Sequence, residues 1–190
     1  MSYDIFLADR VTGKVVDLPF AHVMTGGRFK AKYDPITGIF TPMPTREAWL
    51  NVTWNYGPYY YESARLDERF GDAGIRGIYE KTGLESISML NGMIENIMKK
   101  YKDKNGEWIT TTREKTFYFN SEGAKVSFDE YIYAILRGKM GKYYTETGQE
   151  DVWEGDTEDY WKATAANAIK PLYQLIAMAK LRPDCVWNGD

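Results

Sequence analysis

Apolar and polar positions change period along this chain. Alternation by two dominates residues 1–56, and spacing near 3.6 takes over afterwards. Residues 3–8 and 14–18 flank Asp9-Arg10-Val11-Thr12-Gly13, a turn ending in glycine, and predict a hairpin. Residues 27–33 and 39–41 flank Asp34-Pro35-Ile36-Thr37-Gly38, which has the same turn chemistry. Residues 47–56 predict a further strand. Its alternation sets Leu50, Val52, Trp54 and Tyr56 on one face, and Trp49, Asn51, Thr53 and Asn55 on the other.

Helical spacing begins after Gly57-Pro58, where residues 59–70 predict a helix. Thr82-Gly83-Leu84-Glu85 has the spacing of a capping box, and Leu84, Ile87, Leu90, Ile94, Ile97 and Tyr101 recur behind it on one face. A second such box, Ser127-Phe128-Asp129-Glu130, predicts a short helix from Phe128 to about Arg137, with Tyr131, Ile132, Ile135 and Leu136 inward. Gly138 and Gly141 break that pattern, and the polar stretch to Asp156 reads as mobile. A last helix, capped by Asp156 or Thr157, has the apolar face Trp161, Ala165, Ala168, Ile169, Leu172, Leu175, Ile176 and Ala179. Pro171 is read as lying off that stripe, which predicts a kink on the exposed side. Strands first and helices later predict an α+β fold, an N-terminal antiparallel sheet of hairpins packed against C-terminal helices. The expected organisation is a single domain over residues 1–190 with an insertion at 102–157.

Length and composition suit this reading. The 190 residues are 44% apolar and 27% charged, enough to build a core without a metal or disulfide staple. The net charge of −3 argues against direct nucleic-acid binding without excluding it. Cys185 is the one cysteine, so no disulfide forms within the chain, which fits a reducing compartment. The start, Met1-Ser2-Tyr3-Asp4, carries no secretion leader, and no apolar run reaches the ~20 residues of a membrane span, so a cytoplasmic protein without membrane contact is expected. Aromatic residues make up 15% of the chain. Rigid rings serve either a core or a binding face, and their fall on periodic stripes favours the core.

Candidate chemistry is sparse. His22, the only histidine, sits near Thr25-Gly26-Gly27, and Cys185 lies beside Pro183-Asp184 in the tail, so a Ser-His-Asp or Cys-His arrangement has little to stand on. One His and one Cys do not make a zinc site, and residues 151–159 lack calcium-loop spacing. Gly138-Lys139-Met140-Gly141-Lys142 lacks both the gap and the Ser or Thr of a phosphate loop. No metal or cofactor is therefore expected and no catalytic residue is assigned. A carboxylate-based enzyme stays open, since Glu62, Glu85, Glu158 and Asp159 lie near predicted element ends. Asn51, Thr53 and Asn55 would form a polar row on the predicted strand, either architectural or aimed at a ligand or partner, and asparagine is otherwise disfavoured in strands. Charge is uneven as well. Residues 99–142 carry ten Lys/Arg against six Asp/Glu, and residues 143–162 carry seven Asp/Glu against one Lys. The acidic stretch is either a solvated face, a mimic of nucleic acid, or a surface for a basic partner.

Several stretches resemble a family of small uncharacterised proteins of phages, prophages and bacteria: Trp49-Leu50-Asn51-Val52-Thr53-Trp54-Asn55-Tyr56, then Gly74-Ile75-Arg76-Gly77-Ile78-Tyr79 with Lys81-Thr82-Gly83-Leu84-Glu85-Ser86-Ile87, then Asp159-Tyr160-Trp161-Lys162-Ala163-Thr164 with Asn167-Ala168, and Arg182-Pro183-Asp184. Residues 102–157 depart from it. The resemblance implies a non-enzymatic protein-binding module of mobile-element type in the cytoplasm of a bacterial host, with an inhibitor of a host defence nuclease, as anti-CRISPR proteins are, as one form. Its partner would be a host protein or protein–nucleic acid complex, and self-association is left open. The expected binding residues are Asn51, Thr53, Asn55, Tyr56, Arg76, Glu150, Asp151, Glu154 and Asp156. The alternative is a small-ligand or nucleotide-binding protein, or a carboxylate-based enzyme, using the Asn51/Thr53/Asn55 face.

Overall fold

The computed structural model describes residues 2–24, 26 and 31–190. In chain order they form β1 (Ser2–Ala8), β2 (Asp17–His22), β3 (Ala31–Tyr33), β4 (Phe40–Pro42), β5 (Thr45–Glu47), β6 (Trp49–Thr53), α1 (Gly57–Ala64), α2 (Gly83–Tyr101), β7 (Thr110–Asn120), β8 (Lys125–Val126), α3 (Phe128–Leu136), β9 (Tyr143–Trp153), α4 (Ala165–Leu181) and β10 (Val186–Gly189). The fold is α+β, as the order of periods along the chain implies. Two compact units are present: residues 1–109 with 154–190, and residues 110–153. The expected insertion at 102–157 encloses the second. Among the described residues, no helix is long and apolar enough to cross a membrane.

In the larger unit β1 is the middle strand of an antiparallel sheet ordered β10-β1-β6. Its alternation buries Tyr3, Ile5 and Leu7 against the helices. Ser2 pairs with Thr53 and Phe6 with Trp49 on one side, and Leu7 pairs with Trp187 on the other. The Asp9 turn closes as expected, with the Asp9 carboxylate accepting from the backbone N–H of Val11 and Thr12. The Asp34 turn joins β3 to β4, while residues 27–30 of the strand expected there lie outside the described residues.

Helix α2 opens on a complete capping box, in which the Thr82 hydroxyl and the Glu85 carboxylate satisfy each other's backbone N–H. Its buried face, Met89, Leu90, Met93, Ile94 and Ile97, packs on Leu172, Leu175, Ile176 and Ala179 of α4. Leu84, expected on that face, is exposed. The C-terminal strand is tied to the start of α2: Gly83 N–H donates to Cys185 O, and buried Trp187 Nε1 donates to Ser86 Oγ at 2.7 Å.

Several expectations are corrected. The strand over residues 47–56 ends at Thr53, because the Thr53 hydroxyl accepts from Asn55 N–H and starts a 3-10 turn at Trp54–Tyr56. Helix α1 stops at Ala64 and not near Phe70, since Asp67 caps a separate 3-10 turn and Gly71, at φ 56°, ends it. Helix α4 begins after Thr164, whose hydroxyl accepts from Asn167 N–H, so Trp161 precedes it and is exposed. Pro171 is buried. It follows Ala168 by three residues and precedes Leu175 by four, so a 3.6-residue period puts it on the core face.

The smaller unit is an antiparallel sheet ordered β8-β7-β9, with α3 linking β8 to β9. The stretch expected to be mobile is β9, an eleven-residue strand paired with β7 without a register break, from Thr110 opposite Trp153 to Asn120 opposite Tyr143. Its polar side chains are Thr, Glu and Gln on an exposed strand, so polarity here marks a solvent face and not disorder. The Phe117 ring lies against Gly148, where an added Cβ would come within 2.9 Å of it. The Ser127 hydroxyl caps α3 through Glu130 N–H. Ala134 is the buried residue of α3, and Leu136 is 78% exposed, not inward as expected, being turned two positions around the helix from Ala134.

Candidate functional site

The polar row expected on residues 51–55 does not exist as a row, because β6 ends at Thr53 and Asn55 belongs to the 3-10 turn. Asn51 is buried, and its amide donates to Ser2 Oγ and Asp4 Oδ1, both at 2.7 Å. The Asn55 amide donates to the Trp161 carbonyl at 2.7 Å. An asparagine in each place is explained by these ties, which a hydrophobic strand residue would leave unmade.

The aromatic run after β6 does similar work. Tyr56 donates its hydroxyl to the Tyr160 carbonyl, Tyr59 to Ala163 O at 2.9 Å and to the Glu154 carboxylate at 2.7 Å, and Tyr60 to Ala168 O at 2.9 Å. Three hydroxyls within little more than one helical turn thus hold the segment leading into α4 and the first turn of α4 itself. Burial, with Tyr160 beside it, pushes the Tyr56 hydroxyl well above the ordinary tyrosine range, and burial does the same for Tyr60, so both stay neutral donors. Arg76 stacks its guanidinium over Tyr3 at 5.1 Å and Trp54 at 5.2 Å and donates to the Asp190 carbonyl at 2.8 Å. The Tyr3 hydroxyl beneath it is buried with no hydrogen-bond partner among the described residues.

The four acids expected to form one surface have different fates. Glu150 and Asp151 lie on β9 of the smaller unit, where Glu150 pairs with Lys115 and Asp151 accepts from Thr112 Oγ1 at 2.7 Å. Asp156 belongs to the larger unit and is held below the usual carboxylate range by Lys162, then by the Glu158 N–H. Glu154 is not a surface residue: it is fully buried, accepting from Tyr59 and from Ala165 N–H at 2.8 Å in the first turn of α4. A carboxylate at a helix N-terminus is electrostatically favoured, and it removes one of the four donors the helix leaves unpaired there.

His22 and Cys185 each have a local structural setting. The His22 ring bonds Glu47 O at 2.8 Å through Nε2 and accepts from Met24 N–H at 3.1 Å through Nδ1. Burial pushes the Cys185 thiol upward from its ordinary range, opposite to what a reactive thiolate requires. Among the described residues no cluster of His, Cys, Asp and Glu is gathered for a metal ion.

Beyond Glu150 and Asp151, the smaller unit carries exposed apolar side chains that the expected binding residues do not include. Phe128, Tyr133 and Leu136 on α3, with Tyr144 and Trp153 on β9, are exposed by 43% to 78%. On the sheet, Phe119 stacks on Tyr144 with centroids 5.3 Å apart, and Lys125 sits 3.9 Å over the Phe117 ring. Tyr118 packs against Phe128 and Tyr131 of α3. Their signal in the sequence is nine aromatic residues within 110–153, set among polar ones. Comparison with protein-family models, with curated proteins and with solved structures gives no match.

Proposed function

We propose that this chain is a non-enzymatic protein-binding module whose contact surface lies on residues 110–153. The observation that carries this reading is an inversion of the usual apolar distribution. Within that unit Ala134 and Val152 are the buried apolar side chains among the described residues, while five large apolar residues stand exposed. Large exposed rings on a small unit are what interface anchors look like, because aromatic side chains bury much area at low entropic cost once a partner covers them. The larger unit supports the same reading by the way its polar residues are used: Asn51, Thr53, Asn55, Tyr56 and Glu154 hold the unit together. The resemblance to small phage and prophage proteins suggests a setting, a host protein of a bacterial cell, with defence nucleases among the first partners to try.

The test is affinity capture from bacterial lysate with the intact chain and with a Tyr133→Ser/Leu136→Ser variant, followed by sedimentation of the purified complex. The wild type is expected to hold one protein at fixed stoichiometry and the variant to lose it, with thermal unfolding of the two alike because both side chains are exposed. Equal capture by both, or no stoichiometric partner, would defeat the proposal.

A further inference from the structure

From the open side of β9 we infer a docking site for a basic, extended segment of another protein, added as a strand to the β8-β7-β9 sheet. This rests on the binding-module reading and specifies its partner. A sheet edge carries a row of unpaired N–H and C=O groups, and proteins usually blunt such edges with shortness, charged side chains (lysine above all), proline or a bulge. The two edges of this sheet differ. At one side β8 is two residues long. At the other, β9 runs eleven residues, Tyr143-Tyr144-Thr145-Glu146-Thr147-Gly148-Gln149-Glu150-Asp151-Val152-Trp153, without lysine, proline or a register break, and among the described residues no other strand pairs with it.

The charges on β9 decide the occupant. Glu146, Glu150 and Asp151 are all acidic; Glu150 is paired with Lys115 of β7 and Asp151 accepts from Thr112, while Glu146 makes no hydrogen bond or ion pair among the described residues. A second copy is the poor choice. Two β9 strands paired antiparallel over their whole length turn about Gly148, which sets Glu146 of each copy opposite Glu150 of the other, and directly opposed like charges destabilise a strand pair. A segment with Lys or Arg at two positions four residues apart supplies a cation to Glu146 and a second one to Glu150, where it shares the carboxylate with Lys115. Those positions project from the same face of an extended strand about 13 Å apart, matching Glu146 and Glu150. Strand addition gives affinity through the backbone and leaves selectivity to such alternate side chains.

The probe is a blocked eleven-residue peptide of alternating Thr and Val with lysine at its fourth and eighth positions, so that antiparallel pairing over β9 sets the lysines opposite Glu150 and Glu146. Binding to the intact chain is measured by calorimetry, alongside Glu146→Lys and two peptides N-methylated on alternate residues. The expected results are binding by wild type and about tenfold weakening in Glu146→Lys. A peptide with glutamate at the eighth position should restore binding to that variant. One N-methylated peptide should bind and the other fail, because only alternate N–H groups face the edge. Absence of peptide binding, or equal binding of both N-methylated peptides, overturns the proposal. If a captured protein partner stays bound to Glu146→Lys while the peptides fail, the edge assignment falls and the binding-module reading stands. A peptide that pairs as expected while no protein partner is captured gives the reverse.

Discussion

Replacing Glu154 tests whether this acid is architectural. Its carboxylate is fully buried and accepts from Tyr59 at 2.7 Å and from Ala165 N–H at 2.8 Å. Hydrogen bonds to a carboxylate contribute roughly 1.5–3 kcal/mol each, and a buried donor left without an acceptor costs about 1–3 kcal/mol. In Glu154→Ala the Tyr59 hydroxyl retains the Ala163 carbonyl at 2.9 Å, so the larger loss falls on Ala165 N–H at the start of α4. The expected destabilisation is ~3–5 kcal/mol for Glu154→Ala. Both donors address the same oxygen, which Glu154→Gln retains as a neutral acceptor, so that variant should lose about half of that through the removed charge. A double-mutant cycle with Tyr59→Phe should return a coupling of about 0.5–3 kcal/mol, because the two groups touch. Urea denaturation followed by tryptophan fluorescence reads all of these. A loss under about 0.5 kcal/mol for Glu154→Ala, or no coupling to Tyr59, would refute the argument and return Glu154 to the surface.

Three further outcomes are expected. Leu175→Ala removes a fully buried side chain from the α2–α4 contact and should cost about 2–5 kcal/mol in chemical denaturation, whereas a loss under about 0.5 kcal/mol would show that the contact is not packed as described. Gly26→Ala should destabilise by at least ~2 kcal/mol, since φ is +68° and an added Cβ would lie 1.6 Å from the Asn51 carbonyl oxygen; an unchanged urea midpoint would contradict this. Stability should fall on acidification. Asp67, held by Arg69, Glu85, held by Thr82 N–H, Asp103, held by Glu107 N–H, and Asp156, held by Lys162, all lie below the usual carboxylate range in the fold. The unfolded chain then binds more protons, so the stabilisation is complete above that range and lost as pH falls through the lowered values. A urea midpoint at pH 3 equal to that at pH 7 would oppose this.

Local order was legible in the sequence, and long-range pairing was not. The Asp9 and Asp34 turns, the Thr82/Glu85 box and the spacing of α2 each depend on residues a few positions apart, where side-chain chemistry and period are read directly. The partner of β1 at residues 186–189 lies at the opposite end of the chain, and no local pattern announces it. Strand β9 was hidden because its eleven-residue ladder is stabilised by β7, with Thr and Glu on an exposed surface that mimics a loop in composition. Glu154 was hidden for a similar reason: in a run of acids, the one that turns inward is chosen by Tyr59 and the end of α4, not by its neighbours in sequence. The aromatic residues divided between both readings offered for them. Tyr56, Tyr59, Tyr60 and Trp187 build the core, and Phe128, Tyr133 and Tyr144 remain outside.

Amide hydrogen exchange on the intact chain, alone and in a purified partner complex, tests the central claim most directly. Slowed exchange confined to residues 128–136 and 143–153 is the predicted result, with β1, β6 and β10 unchanged. Protection concentrated on β6 and the turn at residues 54–56, with 110–153 exchanging as in the free chain, would contradict the account.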